Sequence, residues 1–276
     1  MTSVNNKTQS SPAYDFSGSI PHHYEKYLGP LFFEPYALEV CKRFDPSSLQ
    51  LVLELASGTG RVTRHLRKSM PASTKLIASD ISEDMLSIAK EQLKDLKIDW
   101  QIIDAQQLPF SNNSIDLIVC CFGYMFVPDK TKAFDEAYRV LKAGGTLLFT
   151  TWDELESNTL SHTYRKAAKK YLEDPLPPAY NLPFSMNDEN EIRVLLEKTG
   201  FSKIQIEKIN KNSVGRNAKE VVSGLAQGGL IYNEIMKRNP AWMEDIKATA
   251  EKELVEKFGT GSIKAPMSAL ICQALK

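Results

Sequence analysis

The sequence predicts an α/β fold, a mostly parallel sheet covered by helices on both faces. Three observations predict it. Between about residue 50 and residue 152, short aliphatic runs alternate with amphipathic stretches. The runs are apolar on both faces, as strands lying between two helix layers are. A glycine-bearing turn, "ELASGTGR", follows the first run and opens a helix, which is where a doubly wound sheet binds its ligand.

Element by element, "LQLVLELAS", "TKLIASD", "IDWQIID", "SIDLIVCCF" and "GTLLFTTW" read as strands. "GRVTRHLRKSM", "SEDMLSIAKEQLKDL" and "DKTKAFDEAYRVLK" read as the helices between them. Ser82 stands at a capping position before acids that oppose the helix dipole. "LKAGGTL" reads as a helix stopping at glycines before a strand. Upstream, "HHYEKYLGPLFFEPYALEVCKRF" carries helical spacing with a break expected at Gly29-Pro30, and residues 1–19 read as a flexible tail. Downstream, "EDPLPPAYNLPFS" reads as a loop, "NDENEIRVLLEKTG" as a helix, and "FSKIQIEKIN" and "APMSALICQALK" as two further strands. Residues 217–258 between those strands read as mostly helical.

Composition narrows the function. With 276 residues, 42% hydrophobic and 25% charged, the chain has the profile of a globular protein that buries a sizeable core. Its 34 basic and 34 acidic residues balance to +0, so no field gathers nucleic acid or an anionic membrane, and a small-molecule partner is expected. The four cysteines show no CxxC pair, which excludes the common zinc spacings and argues for reduced thiols in a cytoplasmic protein. No signal peptide and no bilayer-length apolar run is read, and no metal is expected.

The glycines decide between ligands. A phosphate-cradling GxxxxGK loop fails for want of its lysine. A dinucleotide GxGxxG also fails, because counting from Gly58 the third glycine position holds Thr63. Glu54, near the end of the first strand, would repel a pyrophosphate and hold a cation. S-adenosylmethionine carries an ammonium and a sulfonium and no phosphate, so it fits both facts. Asp80 ends the next strand at the spacing expected of a ribose-binding acid. Asp104 follows the third strand, placed to meet an adenine amino group.

At this point the chain resembles the class I S-adenosylmethionine-dependent methyltransferases, and within them the small-molecule group of ubiquinone and menaquinone biosynthesis. "VLELASGTGR", "ASDISEDML", "DAQQLPF", "FGYMFVPD" and "EAYRVLKAGGTLLFTTW" are similar to the family's motifs, in the family's order, over roughly residues 50–152. Ala56 stands where the first glycine often does. The resemblance implies cofactor contacts at Glu54, Ala56, Gly58, Gly60, Asp80, Ile81, Asp104 and Ala105, with Cys121 and Phe122 after the fourth strand. Met85 is expected beside adenine, and Tyr24 or Tyr27, with Tyr27 counted among the contacts, is expected to close over the cofactor from an N-terminal cap. The fold expected is Rossmann-like, with a seven-stranded mostly parallel sheet, helices on both faces, and N- and C-terminal helical caps. Its parts are a cap helix over 20–48, a cofactor-binding core over 49–152, and the remainder of the sheet over 153–276 with a substrate-cap insertion at about 213–260.

Other residues have plainer readings. Cys120 and Cys121 read as buried strand-end residues, since methyl transfer from a sulfonium needs no covalent enzyme intermediate. His65 among Arg61, Arg64 and Arg67 reads as structural, and "RVTRHLRK" as a solvated basic face. His22 and His23 adjoin the cap and are the candidates for a base, with no other catalytic residue named. Tyr180, Phe184, Tyr232 and Trp242 are the material for an apolar acceptor pocket. The activity expected is O-, N- or C-methylation of a small molecule by a monomer or homodimer. A non-catalytic cofactor-binding regulator is the rival. A macromolecule methyltransferase is disfavoured by the neutral charge and the missing NPPY-type tetrapeptide.

Overall fold

The computed structural model describes residues 16–173 and 175–276. Residues 1–15 of the expected tail therefore lie outside the described residues. The strands are β1 (Leu51–Leu55), β2 (Lys75–Asp80), β3 (Asp99–Ile102), β4 (Ile115–Cys121), β5 (Leu141–Trp152), β6 (Ser202–Gly215) and β7 (Ile263–Leu275). They form one sheet in the order β3-β2-β1-β4-β5-β7-β6. The first five strands are parallel, and β7 runs antiparallel between β5 and β6. The expected seven-stranded, mostly parallel sheet is the one that forms.

The order reverses at β1, whose neighbours are β2 and β4, so a crevice opens beyond the carboxyl ends of these three strands. Alternation along β1 divides the core. Leu53 and Leu55 join the larger apolar cluster, while Val52 joins a second one with Leu66, Leu117 and Val119.

The helices are α1 (Ile20–His23), α2 (Glu34–Val40), α3 (Arg61–Ser69), α4 (Glu83–Gln92), α5 (Lys130–Val140), α6 (Thr159–Lys169), α7 (Pro178–Asn181), α8 (Glu189–Thr199), α9 (Ala218–Gln227), α10 (Ile231–Arg238) and α11 (Trp242–Phe258). Their starts follow capping chemistry. Ser82, Asp129, Asp188 and Asn217 each accept a backbone N–H of the first turn. Gly200 ends α8 in the left-handed conformation.

Two local expectations are corrected. The break expected at Gly29-Pro30 is absent, because Tyr24–Phe33 forms a π-helix between α1 and α2. Its wider winding, with Glu34 N donating to Gly29 O, accommodates a proline that lacks an N–H. The helix before "KAGG" ends at Val140, ahead of the glycines, which instead lie within β5. The register shift between Ile115 and Leu117 absorbs that extra length.

The segment expected as an insertion holds α9, α10 and α11, between β6 and β7. No helix among the described residues is long and apolar enough to cross a membrane.

Candidate active site

A cavity of about 810 Å³ opens at the carboxyl ends of β1, β2 and β4 and reaches under the N-terminal segment and α6. The turn after β1 forms its floor. Ala56, Gly58 and Gly60 all have positive φ, at 51°, 55° and 82°. This conformation strains any side chain and explains the glycine-rich run. The two glycines are needed for different reasons. A Cβ on Gly58 would meet nothing within 4 Å, so its backbone stands open toward a ligand. A Cβ on Gly60 would come 2.8 Å from Leu93 Cδ1 and 3.2 Å from Ala89 Cβ, so Gly60 lets α3 pack against α4.

Asp80 ends β2 beside this turn. Its Oδ2 accepts the Gly58 N–H at 2.8 Å and its Oδ1 accepts the Ser82 N–H at 2.9 Å. Each oxygen keeps a further lone pair for a hydroxyl. Asp80 is 9% exposed, and burial raises its pKa while those backbone N–H groups pull it back. Asp104 lines the same wall after β3, held by Gln106 N at 2.8 Å and by the Gln106 side chain. Ile81, Met85 and Ala105 supply apolar surface between the two acids. Cys121 and Phe122 close the β4 side. Burial pushes the Cys121 thiol well up, so it carries no thiolate.

Nine of the twelve expected cofactor residues therefore line one cavity: Ala56, Gly58, Asp80, Ile81, Met85, Asp104, Ala105, Cys121 and Phe122. Three do not. Gly60 serves helix packing. Glu54 shares the face of β1 with Val52, turns toward α3 beneath the glycine turn, and is 1% exposed. Its Oε2 has no hydrogen-bond partner, and burial, with the charge of Asp80 adding to it, pushes its pKa up to about 8. Tyr27 packs against Gly224 and stacks on His23 at 6.1 Å, away from the cavity. Tyr24 lines it instead, because winding in a π-helix sets residues about four to five apart on one face. Tyr24, Leu28, Phe32 and Phe33 are that face.

Neither candidate base reaches the cavity. His22 is exposed, and His23 is spent on the Tyr27 stack. Of the aromatic residues expected in an acceptor pocket, Phe184 lines the cavity, whereas Tyr180, Tyr232 and Trp242 pack elsewhere. Four other lining residues, Phe16, Lys132, Tyr164 and Arg165, carry no local signal that marks them as part of a site. Phe16 falls within the expected tail, yet meets Phe126 edge-on at 5.5 Å.

The basic face of α3 is not solvated. Arg61, Arg64 and His65 hold Glu25 and Glu34 of the N-terminal segment, with side chains 13%, 21% and 18% exposed. Thr59 of the glycine turn donates to Glu25 Oε2 at 2.6 Å. The N-terminal segment is thereby tied directly to the floor of the cavity.

Comparison with known proteins agrees with this geometry. Residues 52–145 match the family model described as a methyltransferase domain. The ubiquinone/menaquinone biosynthesis C-methyltransferase of Pseudoalteromonas translucida is 39% identical over 117 residues, covering 41% of this chain and 47% of that one. The chain thus matches over about half the length of that curated relative. Among solved structures, phosphoethanolamine N-methyltransferase 2 of Haemonchus contortus, in complex with S-adenosyl-L-methionine, aligns with a TM-score of 0.60 at 20% identity. That alignment covers 98% of this chain and 58% of the other. The YcgJ protein of Bacillus subtilis aligns with a TM-score of 0.59 at 18% identity, over 88% and 98% of the two chains. At such identities the two structures show the fold. The family model and the curated relative bear out the resemblance of the core to class I S-adenosylmethionine-dependent methyltransferases.

Proposed function

We propose that this chain is an S-adenosylmethionine-dependent methyltransferase that methylates oxygen, nitrogen or carbon of a small-molecule acceptor. One observation carries the reading. Asp80, on the cavity wall, and Glu54, beneath its floor, are buried acids that form no ion pair among the described residues. Buried carboxyls left this way favour a ligand that brings hydroxyl donors and positive charge. A pyrophosphate brings neither. Gly58 leaves backbone room beside them, and Ile81 and Met85 offer apolar faces for a purine.

When bound, S-adenosylmethionine supplies a methyl group already activated on a sulfonium. The protein's task is then to position the acceptor and exclude water. Tyr24 and Phe33, stacked at 4.9 Å, close the cavity from the N-terminal segment. Phe122 and Trp152, stacked at 4.1 Å, wall the side next to β4 and β5. No histidine lines the cavity among the described residues. An acceptor whose nucleophile is ionised or carbanionic in solution suits such a site, since it needs little base catalysis.

The proposal includes a cytoplasmic protein, monomeric or homodimeric, with no nucleic-acid partner and no integral membrane association. The balanced charge supports the exclusion of nucleic acid. The test is calorimetry with S-adenosylmethionine, S-adenosylhomocysteine and NAD, followed by a panel of quinone, phenol, amine and polyketide acceptors read by S-adenosylhomocysteine release. Binding of the methyl donor without NAD binding supports the reading. NAD binding without a response to the methyl donor sinks it. Cofactor binding with no release from any acceptor would favour the non-catalytic regulator.

A further inference from the structure

The cavity wall holds a charge that lies outside the residues expected to contact the cofactor. Arg165 of α6 lines the cavity and is 9% exposed. Its Nη1 donates to the carbonyls of Ala179, at 3.4 Å, and Tyr180. No carboxylate among the described residues forms an ion pair with it. The four acids that line the cavity, Asp80, Glu83, Asp84 and Asp104, stand instead at the ends of β2 and β3 and in the first turn of α4. Burial lowers the guanidinium pKa to about 10, which leaves it charged at neutral pH. A buried cation with neutral carbonyls and ring faces but no carboxylate beside it is costly, and an anion arriving in the cavity would offset that cost.

An aromatic wall leads to this charge. Phe122, at the cofactor end, stacks on Trp152 at 4.1 Å, and Trp152 lies 6.5 Å from Phe184. The Arg165 Cζ is 5.2 Å from the Phe184 ring centroid and 5.5 Å from that of Tyr180. A ligand along this wall would have an apolar body with its polar end at the guanidinium. Lys132, the other cation on the cavity wall, is exposed on α5, so at α6 the one buried guanidinium balances one negative charge and a phosphate would leave its second charge uncompensated there. A carboxylate matches both the charge and the planar fork of the guanidinium.

We propose that Arg165 is the specificity residue that anchors a carboxylate on the methyl acceptor, whose apolar body lies against Phe184 and Trp152. This rests on the methyl-transfer reading for the identity of the other ligand. The plainer role, in which Arg165 only holds the 179–184 segment through its carbonyl bonds, predicts no preference for anions.

The test is calorimetric titration of the wild-type protein, loaded with S-adenosylhomocysteine, with benzoate, 1-naphthoate and decanoate and with the matching primary amides. At least one carboxylate should bind roughly tenfold or more tighter than its amide, the gain expected of a charge-assisted pair. Arg165→Gln should bring that preference to within about twofold, Arg165→Lys should keep part of it, and S-adenosylhomocysteine affinity should stay within about twofold in both. Equal binding of acid and amide in every wild-type pair overturns the proposal, as does an undiminished preference in Arg165→Gln. If Arg165→Gln does not fold, a preference in Arg165→Lys weaker than in wild type supports the proposal and an undiminished one overturns it, because lysine keeps the charge but not the planar fork. Failure of S-adenosylhomocysteine to bind wild type would sink the methyl-transfer reading instead. The same acid and amide pairs on the unloaded protein would then judge Arg165 by itself.

Discussion

Arg61, in the first turn of α3, donates from Nη2 to both the carboxylate and the carbonyl of Glu25, and from Nη1 to Glu34 at 3.1 Å. The Arg61 and Glu25 side chains are 13% and 11% exposed, so the pair is largely withdrawn from water. Gly29 permits it, since a Cβ there would come 2.5 Å from Arg61 Nη2. Arg64 and Thr59 also bind Glu25, at 3.2 Å and 2.6 Å. One carboxylate thus fastens the glycine turn, α3 and the N-terminal segment that carries Tyr24.

Glu25→Ala should therefore act on stability and on the site together. Removing one partner of a buried pair costs roughly 3–5 kcal/mol. Because Arg61 keeps Glu34, the loss should fall near the low end. Urea denaturation of Glu25→Ala, Arg61→Met and the double variant should show the double losing less than the sum of the singles. Additive losses would mean that the two side chains are not coupled. S-adenosylhomocysteine should also bind more weakly to Glu25→Ala, because Thr59 and Tyr24 lose their shared tether.

The two glycines of the turn should separate under substitution. Gly60→Ala adds a methyl 2.8 Å from Leu93 Cδ1 at a φ of +82°, so it should lower stability by about 2 kcal/mol or more. Gly58→Ala meets no protein atom within 4 Å, so backbone strain of about 1 kcal/mol is its whole cost to the fold. Its methyl should instead obstruct the cofactor. Thermal denaturation should pick out Gly60→Ala, and calorimetry with S-adenosylhomocysteine should pick out Gly58→Ala. The reverse pattern would remove Gly58 from the binding surface.

How far the sequence disclosed this arrangement depends on the range of the interaction concerned. β1, β2, β4 and the end of β5 were legible as short apolar runs and β6 by its alternation, and the start of α4 because Ser82 caps it locally. Asp80 and Asp104 were legible because strand ends in such a sheet face the crevice whatever the rest of the chain does. The choice of Tyr24 over Tyr27 was not, because a face drawn at helical spacing misplaces residues in a π-helix. Nor was Arg165, which stands in "SHTYRKAAKK" beside three lysines and looks as solvated as they do. It is buried beside the distant 179–184 segment, whose Ala179 and Tyr180 carbonyls and Tyr180 and Phe184 rings lie against it. The α3 arginines misled for the same reason, since their partners Glu25 and Glu34 lie 36 and 27 residues away.

Glu54 gives the site a pH dependence. Its pKa is raised to about 8, so its effect on stability is fully favourable below the ordinary carboxylate range and is lost as pH rises toward 8. A cationic ligand beside the glycine turn favours the ionised form. Its binding should therefore expel a proton and tighten as pH rises from about 5.5 to 7.5. Calorimetry of S-adenosylmethionine binding in two buffers of different ionisation enthalpy measures that proton. Glu54→Gln should release fewer protons, flatten the pH dependence of affinity and weaken the fall in stability toward pH 8. Identical proton release by wild type and Glu54→Gln would show that Glu54 does not sense the ligand.

Cofactor and acceptor should be separable by position in the cavity. Asp80→Ala removes an acceptor for two hydroxyls, and charge-assisted hydrogen bonds contribute roughly 1.5–3 kcal/mol, so S-adenosylhomocysteine affinity should drop about tenfold to over a hundredfold. Leu225 of α9 lines the same cavity from the segment between β6 and β7, on an element that supplies none of the expected cofactor contacts. It is only partly buried, so Leu225→Ala avoids the large penalty of emptying a core position. Phe16, edge-on to Phe126, approaches from the N-terminal side in the same way. Leu225→Ala and Phe16→Ala should change which members of the acceptor panel release S-adenosylhomocysteine, with cofactor affinity held within a few-fold. If both variants kept the wild-type acceptor profile, the acceptor would lie elsewhere along the wall, toward Phe184 and Arg165. If either lost cofactor affinity as severely as Asp80→Ala, the division of the cavity into a cofactor half and an acceptor half would fail.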